Sequence, residues 1–333
     1  MEIYRRRPML FYKTKEIQDR MNEYGKQKKP FLFALNFELT EGFFIDNPLT
    51  QSEVLFDVKG KGNIGTARRI QQPYLFDYSP LAYEEYKQKF DIVHHGLLRG
   101  DSYLTNLTVK TPVSFNLSFD EIVKYSNARY KLLLPDKFVC FSPERFVKIE
   151  GNTISTNPMK GTIDASLPNA EQIILNDFKE TAEHNTIVDL LRNDLSIVAD
   201  NVRVSRFRYV DRISTNKKDI LQVSSEIIGT LKDNLSDNLG DIIFGMLPAG
   251  SISGAPKDAT IRIIEEAEGD VRGYYTGVFG YYDGVELDTA VLIRFIEKDG
   301  DNYFFRSGGG ITAYSDCISE YQEVISKIYL PIS

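Results

Sequence analysis

The stretch Phe138-Val139-Cys140-Phe141-Ser142-Pro143-Glu144-Arg145-Phe146-Val147-Lys148-Ile149-Glu150-Gly151-Asn152-Thr153-Ile154-Ser155-Thr156-Asn157-Pro158-Met159-Lys160-Gly161-Thr162 reads as two extended runs folded about a Glu150-Gly151-Asn152 turn. The turn makes a hairpin of residues 138–149 and 153–157. One arm carries Glu144, and the other delivers Lys160 just past its end, where the chain meets Gly161. A lysine between a strand and a glycine sits where backbone can close on a small ligand. Its amine can then serve as a nucleophile, whereas the plainer reading is a solvated charge beside a turn.

Outward from the hairpin, short strands and isolated helices follow. Residues 31–37, a Phe- and Leu-rich run without proline after a basic, polar segment at 13–30, read as a buried strand. Tyr86, Phe90, Val93 and Leu97 recur at helical spacing and predict a helix over 83–98 that ends near Gly100. Residues 102–109 alternate as a strand, 169–199 read as one or two helices, and 277–282, 290–297 and 303–306 read as strands. A last helix runs from about 316 to 329. Strands follow strands instead of alternating regularly with helices, which argues against a parallel βαβ sheet and predicts an α+β fold. No repeat, linker or low-complexity block divides residues 1–333, so a single domain is expected.

With 42% apolar and 26% charged residues over 333 positions, the chain has enough apolar content for a large core. Its formal charge is −7 and its Lys and Arg residues are dispersed, which argues against nucleic acid as a partner. Cys140 and Cys317 are the two cysteines, far apart, and imply neither a disulfide framework nor a thiolate metal site. The opening Met1-Glu2-Ile3-Tyr4-Arg5-Arg6-Arg7 is not followed by the apolar core of a secretory signal. No apolar run approaches the roughly 20 residues of a membrane span, so a soluble, cytoplasmic protein is expected.

Chemistry-bearing residues gather in a few places. Glu320, Glu323 and Lys327 fall at i, i+3 and i+7 on the last helix, which puts two carboxylates and an ammonium on one face. Just ahead lies Ser307-Gly308-Gly309-Gly310-Ile311, read as a glycine nest whose bare amides can approach an anion. Glu180 and Glu183 repeat the i, i+3 spacing on the helix that leads into 187–195. Carboxylates offered from two helices around an anionic substrate suit Mg²⁺, a hard cation that often bridges to the substrate's own anion. Zinc fits poorly, because His94, His95 and His184 show no ligand spacing with the cysteines. Residues 248–257, Pro-Ala-Gly-Ser-Ile-Ser-Gly-Ala-Pro-Lys, fail the phosphate-loop pattern because Ala255 and Pro256 separate Gly254 from Lys257. They read instead as a tight loop capping a helix over 258–268.

Together these segments resemble the chorismate-utilising enzymes, the family that includes anthranilate, aminodeoxychorismate, isochorismate and salicylate synthases. The likeness runs through Gly100-Asp101-Ser102-Tyr103, Ser142-Pro143-Glu144-Arg145-Phe146, Met159-Lys160-Gly161-Thr162, residues 187–195 and 250–257, Arg272-Gly273-Tyr274-Tyr275-Thr276-Gly277, Ile293-Arg294, the 308–311 glycines and Glu320-Tyr321-Gln322-Glu323. It places the motifs in 99–330 and leaves 1–98 as a shortened N-terminal part of the fold. The resemblance implies a layered α/β/β/α arrangement, with two packed antiparallel sheets flanked by helices and an active site in the cleft between sheets and C-terminal helices. It implies chorismate as substrate and Mg²⁺ held by Glu183 and Glu323 with Glu320 close by. Gly161, Thr162, Tyr275, Arg294, Lys327 and the amides of Gly308, Gly309 and Gly310 would bind the substrate.

Within the family, position 160 separates the reactions. Anthranilate, isochorismate and salicylate synthases generally have Ala there, whereas aminodeoxychorismate synthases have Lys, as here. The isochorismate branch activates water with a lysine at the position of Leu104, and a leucine cannot take a proton. The implied reaction is amination of chorismate to 4-amino-4-deoxychorismate, toward para-aminobenzoate and folate. Lys160 would be the covalent nucleophile at C2 and Glu144 the general acid. Neither cysteine has the His and Glu context of a glutaminase, so ammonia is expected from a separate glutamine amidotransferase subunit in a heterodimer. The alternatives are an anthranilate synthase component I, an isochorismate or salicylate type of enzyme, and, in a different class, a non-catalytic chorismate-binding subunit.

Overall fold

The structure is a computed structural model that describes residues 11–65, 70, 73–214, 219–233 and 237–332. Two antiparallel sheets form its centre. The first runs in the order Phe11–Tyr12, Gly42–Asp46, Phe31–Leu35, Val278–Tyr282, Glu286–Val291, Arg145–Glu150, Thr153–Thr156, Asp219–Leu231 and Met159–Asp164, with Ala199–Ser214 also paired to Asp219–Leu231. The second runs Gly254–Ala255, Leu104–Phe115, Asn302–Ile311, Phe295–Asp299, Phe138–Ser142, Tyr130–Leu134, Leu55–Val58 and Lys61–Gly62.

The sheets face each other through Leu32, Ala34, Phe43 and Phe279 of the first and Phe56, Leu132, Phe138 and Phe295 of the second. Helices cover both outer faces. Ile17 and Met21 of the Thr14–Lys26 helix, with Leu191 and Leu195 of Phe178–Val198, pack on the first sheet. Tyr86, Val93 and Ile263, from Tyr83–Arg99 and Lys257–Glu268, pack on Leu107, Val109 and Ile311 of the second. The α/β/β/α layering expected from the resemblance is therefore the observed one. No helix among the described residues is long and apolar enough to cross a membrane.

Several sequence expectations change at the points that matter for the site. The hairpin about Gly151 is present, with Arg145–Glu150 paired to Thr153–Thr156, but residues 138–149 are not one arm. Phe138–Ser142 belongs to the second sheet and Arg145–Glu150 to the first, so the chain changes sheets at Pro143 and Glu144. The strand expected at 290–297 splits the same way, into Glu286–Val291 and Phe295–Asp299, with Arg294 between them at φ +53°. The two crossings are tied together: the Val291 amide donates to the Glu144 carbonyl at 3.2 Å, and the Phe141 amide donates to the Arg294 carbonyl at 3.0 Å. An uninterrupted apolar run has no mark for a change of sheet, which is why each pair reads as one strand.

The segment at 13–30 contains a helix, Thr14–Lys26, whose buried residues are Ile17, Met21 and Gly25. The last helix stops at Ser326. The three glycines after Ser307 are not a nest but an extended strand, with Gly308, Gly309 and Gly310 opposite Thr108, Leu107 and Asn106. The expected 248–257 loop holds the short helix Gly250–Ser253 and the Gly254–Ala255 bridge to Leu104 and Thr105.

One buried ion pair joins many of these parts. Arg272, 1% exposed, donates to Glu268 through Nη2 at 2.6 Å and Nε at 2.9 Å. The same guanidinium donates to the carbonyls of Ile252 at 2.9 Å and Asn106 at 2.6 Å, while Glu268 accepts the Thr108 amide at 2.9 Å. Phe37 lies 4.6 Å beneath its Cζ. Arg272→Met strands the Glu268 carboxylate in the core and is expected to cost about 3–5 kcal/mol, read as a lower urea midpoint at unchanged m-value.

Candidate active site

Lys160 stands at the start of the Met159–Asp164 strand, where the register against Asp219–Leu231 shifts between Met159 and Thr162. Such an irregularity re-aims a side chain. The adjoining Gly161 has φ +78°, and a Cβ there would lie 3.0 Å from Glu180 Oε2. The Lys160 ammonium lies 3.8 Å from Glu183 Oε2. Both glutamates belong to the Phe178–Val198 helix, capped at its start by Asp177, whose carboxylate accepts the Glu180 amide at 2.9 Å.

That helix is pinned to the lysine's strand system by His184. Its Nε2 shares a 2.7 Å hydrogen bond with the Ser225 hydroxyl, and the Ser225 amide donates to the Pro158 carbonyl at 3.0 Å. Burial lowers the His184 pKa to about 4, assisted by Arg208 and Lys160, so the imidazole is neutral at pH 7. Its Nδ1 is buried with no hydrogen-bond partner among the described residues.

The helix Cys317–Ser326 arrives from the other side. The Lys327 ammonium, just past its end, donates to Glu323 Oε1 at 2.6 Å and to the Gly308 carbonyl at 2.7 Å, and burial pulls its pKa down. The Ser315 hydroxyl donates to the buried Glu320 carboxylate at 2.8 Å. A Cβ on Gly309 would lie 3.5 Å from both Glu320 Oε2 and Glu323 Oε1 and 3.7 Å from Lys327 Nζ. One residue on, a Cβ on Gly310 would lie 3.8 Å from Lys160 Nζ and 3.1 Å from Leu104 Cδ1. Lys160 and the acidic helix face therefore lie by neighbouring residues of one side-chain-free strand, whose successive Cβ positions point to opposite faces.

Glu144 reaches this group from the first crossing. Burial raises its pKa above the ordinary carboxylate range, while the Ser251 hydroxyl, Lys160, Arg294 and Lys327 pull the other way. A carboxyl whose pKa is raised in this manner suits proton donation. Arg294, at the second crossing, donates weakly to the Tyr329 hydroxyl at 3.4 Å and makes no ion pair among the described residues. Tyr275 is buried against Phe295 at 5.8 Å, and burial pushes its phenol up to about 12 with Arg294 opposing. Thr162 is exposed opposite Gln222, and no contact among the described residues links it to the others.

The carboxylates do not close on one point: among the described residues no group of three His, Cys, Asp or Glu side chains is arranged to hold a metal ion. Glu320 and Glu323 share the Gly309 face, and Glu183 is turned to Lys160. Sequence reasoning passed over Ser251, which sits in the Gly-rich 248–257 stretch and bonds Glu144, and the His184–Ser225 link. It also passed over Asp194, which accepts from Lys257 at 2.9 Å and from the Gly250 amide at 2.9 Å and so fixes that stretch. Acidic, basic and hydroxyl residues near glycines were the available signal.

Residues 66–333 match the chorismate binding enzyme family, and the chain belongs to it. It is 50% identical over 316 residues to an uncharacterized PabA-like protein of Haemophilus influenzae, taking in 94% of this chain and 96% of the relative. It is 32% identical over 267 residues to aminodeoxychorismate synthase component 1 of Bacillus subtilis, across 75% of this chain and 55% of that one. The crystal structure of anthranilate synthase component I from Streptococcus pneumoniae superposes with a TM-score of 0.65 at 26% identity, over 78% of this chain and 60% of that chain. The protein is thus an enzyme acting on chorismate.

The buried imidazole gives a pH test. Because the folded pKa of His184 is depressed from 6.5 to about 4, its contribution to stability is present above pH 6.5 and is lost as pH falls through that window. His184→Gln removes this component, so the stability difference between wild type and variant should shrink from pH 6.5 toward pH 4 in urea titrations.

Proposed function

We propose that the enzyme aminates chorismate at C4 to 4-amino-4-deoxychorismate, as component I of an aminodeoxychorismate synthase in para-aminobenzoate and folate synthesis. The observation that carries this reading is the primary amine of Lys160, set above Gly310 beside Glu183 and within the field of a raised Glu144 carboxyl. The similarity to an aminodeoxychorismate synthase component 1 supports it.

In this scheme the Lys160 amine attacks C2 of chorismate, the ring double bonds shift, and the C4 hydroxyl departs as water with a proton from Glu144. Ammonia then adds at C4, the bonds shift back, and the Lys160 nitrogen leaves C2, so that water is the only product beside the amine. Arg294 and Lys327, with Tyr275 nearby, would hold the substrate carboxylates. Gly308 turns its carbonyl to the strand edge where Lys327 lies, and by strand alternation the Gly308 and Gly310 amides share that edge as anion donors. Mg²⁺ would be held by Glu183 and Glu323 with Glu320 beside them, hard oxygen donors of the kind it prefers, and it would anchor a substrate carboxylate. A separate glutamine amidotransferase subunit would supply the ammonia.

Incubation of the purified protein with chorismate, Mg²⁺ and ammonium should yield 4-amino-4-deoxychorismate by chromatography. Glu144→Gln should lower the rate about a hundred- to ten-thousandfold, and Lys160→Ala should remove most of the activity. Release of pyruvate with anthranilate, or formation of isochorismate, would sink the assignment.

A further inference from the structure

Lys160 and Gly161 fall inside the register shift of their strand, so neither is paired in the ladder to Asp219–Leu231, and the ion pair from Lys160 to Glu183 is a long one at 3.8 Å. The place of the amine therefore comes from its supports. These are the chain entering the strand at Pro158, the helix that carries Glu183, and the Asp219–Leu231 strand between them.

Ser225 of that strand, fully buried, is bonded to both of the others. Its amide donates to the Pro158 carbonyl at 3.0 Å, two residues before Lys160, and the proline has no N–H to offer the ladder in return. Its hydroxyl shares the 2.7 Å bond with Nε2 of His184, the residue after Glu183 on the helix. The same hydroxyl accepts the Arg208 amide at 2.9 Å from the other flanking strand, Ala199–Ser214. There too the register shifts, between Arg206 and Tyr209. Arg208 takes φ +46°, a conformation that a non-glycine residue keeps only where its surroundings impose it. A hydroxyl with one proton and two lone pairs can take the Arg208 amide and still serve the imidazole. Irregular stretches on both flanks of one strand are thus closed on a single buried side chain.

We propose that Ser225 and His184 are a positioning pair for the Lys160 amine: their hydrogen bond sets the spacing between the helix that carries Glu183 and the strand that carries Lys160, and so the point from which the amine attacks. This rests on Lys160 as the nucleophile of the proposed function. It adds that the amine's placement is set by two residues that exchange no proton or bond with the substrate.

The amination assay described above is run on Ser225→Ala, His184→Leu, their double variant and His184→Gln, whose side-chain amide can bond the same hydroxyl. Urea titration establishes that each is folded under the assay conditions. Ser225→Ala and His184→Leu should each lower kcat about ten- to a hundredfold, the order of a misplacement of up to about an ångström. KM for chorismate should not change, since Arg294 and Lys327 are untouched. The double variant should be no slower than the slower single one, and His184→Gln should keep most of the rate. Should Ser225→Ala not fold, His184→Leu against His184→Gln decides alone. An unchanged kcat, a loss that lies in KM, losses that multiply in the double variant, or no rescue by His184→Gln overturns the positioning role and leaves the nucleophile standing. A wild type that makes no 4-amino-4-deoxychorismate, or Lys160→Ala at the wild-type rate, overturns the nucleophile reading and this inference with it.

Discussion

The burial of Arg272 against Glu268 is the constraint on which the rest of the molecule hangs. Four guanidinium donors and both carboxylate oxygens are committed to groups from a helix end, a central strand of the second sheet and the segment that carries Ser251. A charge pair taken out of water is tolerated only when such geometry satisfies it, so these pieces have one mutual arrangement. Through Glu38, which accepts the Arg272 amide at 2.8 Å, the same knot reaches the turn after the Phe31–Leu35 strand. Tyr275 and the Gly277 entry to the next strand follow from there.

On this frame, the site is made by chain segments that leave one sheet for the other. Glu144 and Arg294 lie at two such crossings, whose backbones are hydrogen-bonded side by side, and the change of sheet brings both within electrostatic reach of each other, with Lys160 acting on Glu144 as well. Lys160 is re-aimed by a register shift instead, and Glu320, Glu323 and Lys327 approach over glycines that keep the strand surface bare. The candidate site's groups are placed by interruptions of regular structure, while the regular parts supply rigidity.

The sequence made the class of fold and much of the site legible, though by different routes. Gly151 marked its hairpin, and the spacing of Tyr86, Phe90, Val93 and Leu97 marked a helix, because turn chemistry and periodicity are local. The sheet changes at Pro143 and at 292–294 were not legible, since the flanking residues are apolar whichever sheet they join. The Thr14–Lys26 helix hid because Ile17 and Met21 are few among charged neighbours. Glu268 and Arg272, four residues apart, look like a surface pair until tertiary structure encloses them. Gathering Glu144, Lys160, Arg294 and Lys327 in one field came from the order of motifs, and no local pattern contains that information.

The paired crossings have a mechanical consequence. Since the acid and the guanidinium ride on the links between the layers, the two sheets cannot slide across each other without moving both groups relative to Lys160 on the first sheet and the glycine strand on the second. The sandwich therefore acts as its own caliper. A shear of the layers too small to open the core would shift Glu144 and Arg294 against Lys160 and the glycine strand, so the stiffness between the sheets sets the relative placement of all four.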